Sequence, residues 1–215
     1  MAEAITLWGA GTSRTMRPVW VCEELGIPYK LNAIGPRTGE TQTPDFTRMN
    51  PKQKIPLLVD GALKLTESVA ICRYLIRKFP GAAITTTTTP ERHAIEDAWC
   101  CYIYGEIDET SLYVMRRHRD LAAIYGEAPA AVDSSRDYAL RHLAVVSDHL
   151  IVRETLLDEG FTLADILLGT CLDWAHAYGL PLTDTLAGYR KRLNARDAYQ
   201  RAMAKAEPGF PPKLD

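Results

Sequence analysis

Ser13 and two nearby arginines form the first group of residues whose types and spacing could support chemistry. Ser13 lies between a predicted strand and a predicted helix, and Arg14 and Arg17 follow it along the first part of that helix. A hydroxyl there can donate a hydrogen bond to an anion, while the helix N-terminus and the arginines add positive potential. No histidine that could act as a base is near Ser13, which disfavours a serine nucleophile. A simple N-cap role for Ser13 is the alternative.

A second group lies around the sequences KIPLLVDG and TES. Pro56 stands directly before a predicted strand, and an X-Pro bond at such a turn can be cis, although only about one in twenty is. Thr66 to Ser68 open a predicted helix, whose free N–H groups could bind a carboxylate. On that segment alone, simple capping of the helix is the favoured interpretation.

Strands and helices alternate over the first eighty residues, which is typical of an α/β layer. Asp60-Gly61 suits a tight antiparallel hairpin, so the sheet is predicted to be mixed. Thr66 is predicted to cap the helix that follows. The predicted strands are 5–8, 29–34, 57–59 and 63–65, and the predicted helices are 14–25, a short one at 45–49, and 66–78.

The composition changes after Pro80, where GAAITTTTTPER has no amphipathic period. Thr89 as N-cap and Pro90 at the first helical position then predict the start of a helix. We therefore predict a first domain at 1–79, a linker at 80–89 and an all-helical domain at 90–215. The predicted helices are 90–118, 134–154, 162–178, 184–194 and 196–206.

Three features of the helical part have structural interpretations. Thr162 and Asp165 have the spacing of a capping box at a helix start. His142 and His149, seven residues apart, are interpreted as packing or surface groups. The run RRHR at 116–119 is typical of a solvated helix end, where positive charge complements the helix dipole.

Composition and charge exclude several classes of protein. The chain has 215 residues, 47% apolar and 24% charged, which is ordinary for a globular protein. Residues 1–80 carry 11 basic and 7 acidic residues and the rest 14 and 20, so a mildly positive first part precedes a negative second part. No basic cluster with interleaved aromatic residues is present, which disfavours nucleic acid. No window approaches eighteen consecutive apolar residues, which disfavours a membrane partner.

The five cysteines form an odd set without a CxxC pair, and we expect them to be mostly buried small hydrophobes in a reducing compartment. No metal site is expected from their spacing. The start, MAEAITLWG, has an acid where a signal peptide would carry a basic region, so a cytoplasmic location is expected.

Taken in order, these segments resemble the cytosolic glutathione transferase family over essentially the whole chain. The resemblance is most specific in NPKQKIPLLVDG and LTESVAICRYL, and GFTLADILLG resembles the family's capping-box segment in the helical domain. The first loop, with Ser13 four residues before Arg17, resembles the serine-class, theta-like members of bacterial type. Gln53 departs from the pattern, because many members have glycine there. Pro18 enters the first helix early, which is tolerable only in its first turn.

The resemblance implies a thioredoxin-like domain with a mixed four-stranded sheet that binds glutathione, followed by an all-helical domain that forms most of a pocket for an electrophile. Ser13 would hold the thiolate of glutathione, with Thr12 and Arg14 as alternatives. The resemblance implies a homodimer, and it implies no metal. The other implied positions are Lys54 at the glycyl carboxylate, Ile55 and Pro56 at the cysteinyl part, Glu67 and Ser68 at the γ-glutamyl end, and Tyr102 and Met115 in the electrophile pocket.

The function implied is a glutathione S-transferase that adds glutathione to a small hydrophobic electrophile, in a detoxification role. Peroxide reduction, dehalogenation and ether cleavage start from the same thiolate and remain alternatives. A further alternative is a binding or scaffold protein of the same fold without turnover. The complete set of glutathione positions argues against that alternative, because a scaffold has no need of it.

Overall fold

A mixed four-stranded sheet forms the centre of the first part of the chain. The computed structural model describes residues 5–86 and 88–206. The strands β1 (Ile5–Trp8), β2 (Tyr29–Asn32), β3 (Leu57–Asp60) and β4 (Leu63–Thr66) are arranged in the order β2-β1-β3-β4. β1 is parallel to β2 and antiparallel to β3, and β3 is antiparallel to β4. The predicted mixed sheet is confirmed.

Three helices accompany this sheet: α1 (Ser13–Leu25), α2 (Pro44–Met49) and α3 (Ser68–Lys78). The N-cap of α3 is Glu67, one residue after the predicted cap Thr66. Thr66 cannot cap it, because it pairs with Leu57 in the sheet. Pro18 is the sixth residue of α1, beyond the first turn, and the helix nevertheless continues to Leu25.

The second part of the described chain is helical. The segment predicted as one helix over 90–118 is a continuous helical run whose middle eleven residues are π-helical. A short helix at 122–125 was not predicted, and the long helix after it begins and ends earlier than expected. The elements are α4 (Pro90–Tyr102), the π-helical stretch Ile103–Tyr113, α5 (Val114–His118), α6 (Ala122–Tyr125), α7 (Pro129–Leu150), α8 (Leu163–Ala177), α9 (Asp184–Asn194) and α10 (Asp197–Ala206).

Contacts between residues divide the described chain into two units. The N-terminal unit contains residues 5–86 together with 194–206, and the helical unit contains 88–193. By these contacts α10 groups with the first unit instead of with the predicted domain 90–215. The reason is the apolar face of α10, whose Ala202 and Ala206 are completely buried and whose Tyr199 is 4% exposed.

α10 is held on α1 by an aromatic pair and two ion-pair groups. The ring of Trp20 meets Tyr199 edge to face, with centroids 4.9 Å apart. Arg196 donates two hydrogen bonds to the Glu24 carboxylate, at 2.6 and 2.9 Å. Trp20 Nε1 donates to the same carboxylate at 2.9 Å. This bidentate geometry orders the start of α10 at the C-terminal end of α1.

Glu23 binds the other half of α10. Its side chain is 8% exposed. The carboxylate accepts hydrogen bonds from Lys205 Nζ at 2.6 Å, Arg201 Nε at 2.9 Å and the Tyr29 hydroxyl at 2.7 Å. Burial acts to raise the pKa of Glu23, but these three donors hold that pKa below its ordinary value of 4.5.

In the helical unit, the predicted capping box at the start of α8 is confirmed. The N–H and hydroxyl of Thr162 donate to Asp165 Oδ2 at 2.7 and 2.9 Å. Asp165 Oδ1 accepts from Leu156 N–H at 2.8 Å and from the Tyr189 hydroxyl at 2.5 Å. Asp165 is completely buried. Burial raises the pKa of its carboxyl, and the four donors offset part of that effect.

The arginines at 116–119 are packed, in contrast to the solvated helix end that the sequence predicted. Each guanidinium group lies over an aromatic ring of the same unit, and stacking of this kind is favourable for Arg. The pairs are Arg116 over Trp174, Arg117 over Tyr125 and Arg119 over Tyr178, with 6.0, 4.7 and 4.0 Å to the ring centroids.

Of the two interpretations left open for the histidines, packing or surface, ring packing is what the structure has. His142 stacks on Tyr138, with ring centroids 4.2 Å apart, and His149 stacks on Trp99 at 4.6 Å. Four of the five cysteines are buried, as expected, and Cys101 is exposed.

Removing the Asp165 carboxylate is expected to destabilise the helical unit strongly. Asp165→Ala leaves two backbone N–H groups and two hydroxyls without their buried acceptor, which costs about 3 kcal/mol of unfolding free energy. Urea unfolding followed by circular dichroism measures this loss. Asp158→Ala is the control, because Asp158 is 73% exposed in an ion pair with Arg153, and its loss is expected to cost under about 0.5 kcal/mol. Equal losses in the two variants would contradict the assigned role.

Glu23 is expected to make stability depend on pH on the acid side. Its pKa is lowered by folding, so the ionised group stabilises the fold above its ordinary pKa of 4.5, and this contribution is lost as the pH falls. Glu23→Gln is therefore expected to be most destabilising near neutral pH, with the difference from wild type shrinking below about pH 4.5. Urea unfolding from about pH 7 to about pH 3.5 checks this. The control is Asp45→Asn, at a carboxylate that is 84% exposed; a pH-independent difference for Glu23→Gln would be the contrary result.

Candidate active site

A glycine-containing loop connects β1 to α1 and approaches the Pro56 turn closely. Gly9 and Gly11 have φ of +118° and +76°, a region that favours glycine. A Cβ on Gly9 would lie 2.7 Å from Ile55 Cβ and 2.8 Å from Thr15 Cγ2. Only glycine therefore allows the loop to pack against Ile55 in this way.

The hydroxyl of Thr12, and not that of Ser13, caps α1. Thr12 Oγ1 accepts from Thr15 N–H at 3.0 Å, and Thr15 Oγ1 accepts from Thr12 N–H at 3.1 Å. Ser13 is the first residue of the helix and is 7% exposed. Within residues 5–86 and 88–206, no hydrogen bond of the Ser13 hydroxyl is found. The N-cap alternative for Ser13 is therefore wrong, because Thr12 has taken that role.

Arg17 links the start of α1 to the start of α3. Its side chain is completely buried, and its Nη1 donates to Ser68 Oγ at 3.3 Å. Arg14, one turn earlier, is half-buried. The sequence signalled Arg17 only through its four-residue spacing from Ser13, and its bond to Ser68 depends on the packing of two helices.

The Pro56 turn has two unusual backbone features. The Ile55–Pro56 peptide bond is cis, and Gln53 has a φ of +54°. This left-handed conformation favours glycine, yet Gln53 adopts it here. The side chain of Asn50 holds the turn by donating from Nδ2 to the Lys54 carbonyl at 2.7 Å. The side chain of Lys54 is exposed.

Glu67 and Ser68 stand at the N-terminus of α3. Glu67 has a φ of +70°, and its carboxylate accepts a hydrogen bond from Lys52 Nζ at 2.7 Å. Lys52 also donates to Thr66 Oγ1 at 2.7 Å. Ser68 is 3% exposed. Lys52 was missed by sequence analysis, which had no signal to separate it from Lys54.

Eight of the predicted site residues lie in the N-terminal unit. Two helix N-termini, a hydroxyl at each and the buried guanidinium of Arg17 can bind anionic groups, and the Glu67 carboxylate can bind a cation. The predicted residues in this unit are Thr12, Ser13, Arg14, Lys54, Ile55, Pro56, Glu67 and Ser68.

Tyr102 and Met115 lie in the helical unit. Met115 is 1% exposed. The Tyr102 hydroxyl is hydrogen-bonded to His142 Nδ1 at 2.8 Å, and burial raises the pKa of Tyr102. Their assignment to an electrophile pocket stays a prediction.

The described residues contain neither a cluster suited to a metal ion nor a helix suited to a bilayer. In residues 5–86 and 88–206, no group of three or more His, Cys, Asp or Glu side chains could hold a metal ion. No helix in that part of the chain has the length and apolar character needed to cross a bilayer.

Comparisons with known proteins agree with this arrangement. The family described as "Glutathione S-transferase, N-terminal domain" matches residues 3–77. Glutathione S-transferase GstB of Escherichia coli K12 is 38% identical over 210 residues, covering 93% of this chain and 97% of that protein.

Solved structures are similar over nearly the whole chain. A theta-class glutathione S-transferase from Xanthomonas axonopodis pv. citri, with glutathione bound, is 28% identical with a TM-score of 0.79, and 96% of this chain and 99% of that one are covered. A glutathione transferase from Pseudomonas putida, with glutathione disulfide bound, has a TM-score of 0.82 at 21% identity over 94% and 92% of the two chains. The second likeness concerns the fold alone.

The different roles of Thr12 and Ser13 predict different effects on stability. Thr12→Ala removes the cap of α1 and is expected to lower the free energy of unfolding by about 1 kcal/mol. Ser13→Ala removes a hydroxyl without a hydrogen bond to the described residues and is expected to change it by less than about 0.5 kcal/mol. Urea unfolding of both variants beside wild type gives the comparison. A larger loss for Ser13→Ala than for Thr12→Ala would show that the cap is misassigned.

Proposed function

Because the chain belongs to the glutathione S-transferase family, we propose that it binds glutathione in its N-terminal unit and adds the thiolate to a small hydrophobic electrophile. The observation that carries this proposal is that the Ser13 hydroxyl is not used to cap α1. Its hydroxyl lies at the first residue of α1, and the capping of that helix is done by Thr12. Ser13 is therefore available to donate a hydrogen bond to the sulfur of glutathione.

The energy needed for this step is modest. A free thiol has a pKa of about 8.5, so only a few per cent of it is thiolate at neutral pH. Lowering the pKa by about two units requires about 2.7 kcal/mol of selective stabilisation of the thiolate. A charge-assisted hydrogen bond contributes about 1.5–3 kcal/mol, and a helix N-terminus about 0.3–1 kcal/mol. Ser13 at the start of α1 combines both, so Ser13 acts as the donor and the thiolate is the nucleophile.

The γ-glutamyl end of glutathione carries an ammonium and a carboxylate, and we assign these to the start of α3. Glu67 offers its carboxylate to the ammonium group. Ser68 offers its hydroxyl, and the α3 N-terminus its N–H groups, to the carboxylate. The buried guanidinium of Arg17, 3.3 Å from Ser68 Oγ, adds positive potential behind that hydroxyl. The zwitterionic group is thus matched by the Glu67 carboxylate, which also accepts from Lys52 Nζ at 2.7 Å, and by the positive potential of the α3 N-terminus and Arg17.

The cysteinyl and glycyl parts of glutathione are assigned to residues of the Pro56 turn. The backbone of Ile55, before cis-Pro56, pairs with the cysteinyl part. Lys54, whose side chain is exposed, contacts the glycyl carboxylate. Tyr102 and Met115 of the helical unit contribute to the electrophile pocket.

The assembly and location proposed are those usual in the family. We propose a cytoplasmic homodimer with a detoxification role, without nucleic-acid or membrane partners. We place the contact with the partner on the face of α3 that carries Arg73 and Arg77, where these residues and Tyr74 help to line a depression of about 500 Å³.

The pKa of the bound thiol tests the proposal. Glutathione bound to the wild type is titrated by its thiolate absorbance in the ultraviolet, and a pKa about two units below the solution value is expected. In Ser13→Ala, glutathione still binds, and the thiol pKa is expected to rise toward that of the free thiol. Turnover with an aromatic electrophile is expected to fall at least about tenfold at neutral pH.

Thr12→Ser, which keeps the hydroxyl that caps α1, and Arg14→Met are the matched controls for that titration, because each changes a neighbouring side chain. Both are expected to keep the low thiol pKa. A low pKa that is unchanged in Ser13→Ala would overturn the role of Ser13 and transfer it to Thr12 or Arg14. Binding of glutathione without a thiolate near neutral pH in the wild type would instead favour the binding or scaffold protein.

A further inference from the structure

We propose that α10 positions the loop that carries Ser13, with Arg201 and Lys205 as the positioning residues that fix α10 on Glu23. The proposal rests on the proposed role of Ser13 at the glutathione thiol. It adds to that role a requirement for a helix almost two hundred residues later in the chain. All the contacts that carry it lie within the N-terminal unit.

The loop before Ser13 is held by three successive backbone N–H groups. Gly9 N–H donates to the Asn32 carbonyl and Ala10 N–H to the Ile34 carbonyl, both at 2.9 Å. Gly11 N–H donates to the Ala206 carbonyl at 3.0 Å. The first two bonds fix the loop to β2 and the residues after it. The third, nearest to Ser13, depends on the last residue of α10.

Gly11, whose N–H makes that third bond, has little side-chain packing from the described residues. Among them, a Cβ added to Gly11 would meet one atom within 4 Å outside its own chain neighbours, Pro36 Cδ at 4.0 Å. Its φ of +76° lies in the region that favours glycine. The hydrogen bond from its N–H to the Ala206 carbonyl is the contact through which α10 acts on this residue.

Ala206 is held in place by the cations that precede it on α10. Lys205 Nζ donates to Glu23 Oε1 at 2.6 Å, and Arg201 Nε donates to Glu23 Oε2 at 2.9 Å. Arg201 Nη2 also donates to the backbone carbonyl of Glu23 at 2.9 Å. Two cations and one carboxylate thus fix the second half of α10 against α1. The Lys205 ammonium further lies 5.2 Å from the ring centroid of Tyr29.

The start of α10 has its own anchor, so α10 bridges the two ends of α1. Arg196 binds Glu24 near the end of α1, while the Ala206 carbonyl reaches Gly11 just before its start. The loop with Ser13 is consequently fixed relative to the helix whose N-terminus also acts on the thiolate. A donor misplaced by about 1 Å loses much of its effect on a reacting group.

Arg201→Met with Lys205→Met tests the proposal. Both side chains are about half exposed, at 52% each, and methionine keeps part of their apolar stems. The double variant is expected to raise the pKa of bound glutathione by about 0.5 or more, which is about a threefold loss of thiolate well below that pKa. The Kd for glutathione is expected to change less than about twofold, because Glu67 and Ser68 are untouched.

Two further variants separate positioning from general loss of stability. Arg201→Lys with Lys205→Arg keeps both cations and is expected to restore the low thiol pKa. Arg190→Met removes a comparable ion pair with Asp173 in the helical unit and is expected to leave the thiol pKa unchanged. Lys205→Met alone provides a milder change, and a smaller shift in the same direction is expected if the double variant does not fold.

Hydrogen exchange at the Gly11 amide gives a readout that does not depend on glutathione. Faster exchange at Gly11 is expected in the double variant, with Gly9 and Ala10 little changed. The proposal is overturned if Gly11 exchange is unchanged, or if the thiol pKa stays low in a variant series where Ser13→Ala raises it. It is also overturned if Arg190→Met raises the thiol pKa as much. A low thiol pKa that is unchanged in Ser13→Ala would instead refute the proposed role of Ser13, whatever the exchange rate of the Gly11 amide.

Discussion

The burial of α1 on nearly all of its sides is the constraint on which the N-terminal unit depends. Ten of its thirteen residues are buried, including the charged side chains of Arg17 and Glu23. A helix so enclosed cannot move without disturbing several neighbours at once, because protein interiors are closely packed. Its N-terminus, with Ser13, is therefore held in a fixed place.

The two buried charges of α1 are met by different parts of the chain. Arg17 contacts Ser68 at the start of α3, so the segment proposed to bind the γ-glutamyl end is tied to the helix that presents Ser13. Glu23 is met by two cations of α10. Burying a charge without such partners costs several kcal/mol. These pairings therefore specify which elements must lie beside α1, and they couple the proposed binding residues to the end of the described chain.

The helical unit uses one buried carboxylate in a comparable way. Asp165 satisfies the start of α8, the Leu156 N–H and the Tyr189 hydroxyl, which come from three separate segments of that unit. Elsewhere in the unit, the guanidinium groups of Arg117 and Arg119 lie over the rings of Tyr125 and Tyr178. A single group with four donors thus orders the unit, because each donor would be costly to leave unpaired in its interior.

Local patterns were sufficient for the features that depend on neighbouring residues. The four strands, the mixed sheet, the start of the helix at Pro90 and the capping box at Thr162 and Asp165 were all predicted. Each of these depends on periodicity or on cap chemistry within a few positions. Thr66 was predicted wrongly as a cap because its pairing with Leu57 in the sheet takes precedence. The π-helical stretch Ile103–Tyr113 had no signal in the periodicity at all.

The sequence by itself determined the fold class, through the alternation of strands and helices, and the set of candidate residues, through motifs whose order resembles a known family. Tertiary structure alone decided that Thr12 caps α1, that Arg17 meets Ser68 and that Lys52 pairs with Glu67. It also decided that α10 packs in the N-terminal unit. These are contacts between side chains or segments whose approach depends on how helices and turns pack. No local propensity encodes which partner a buried charge will find, and packing is what supplies it.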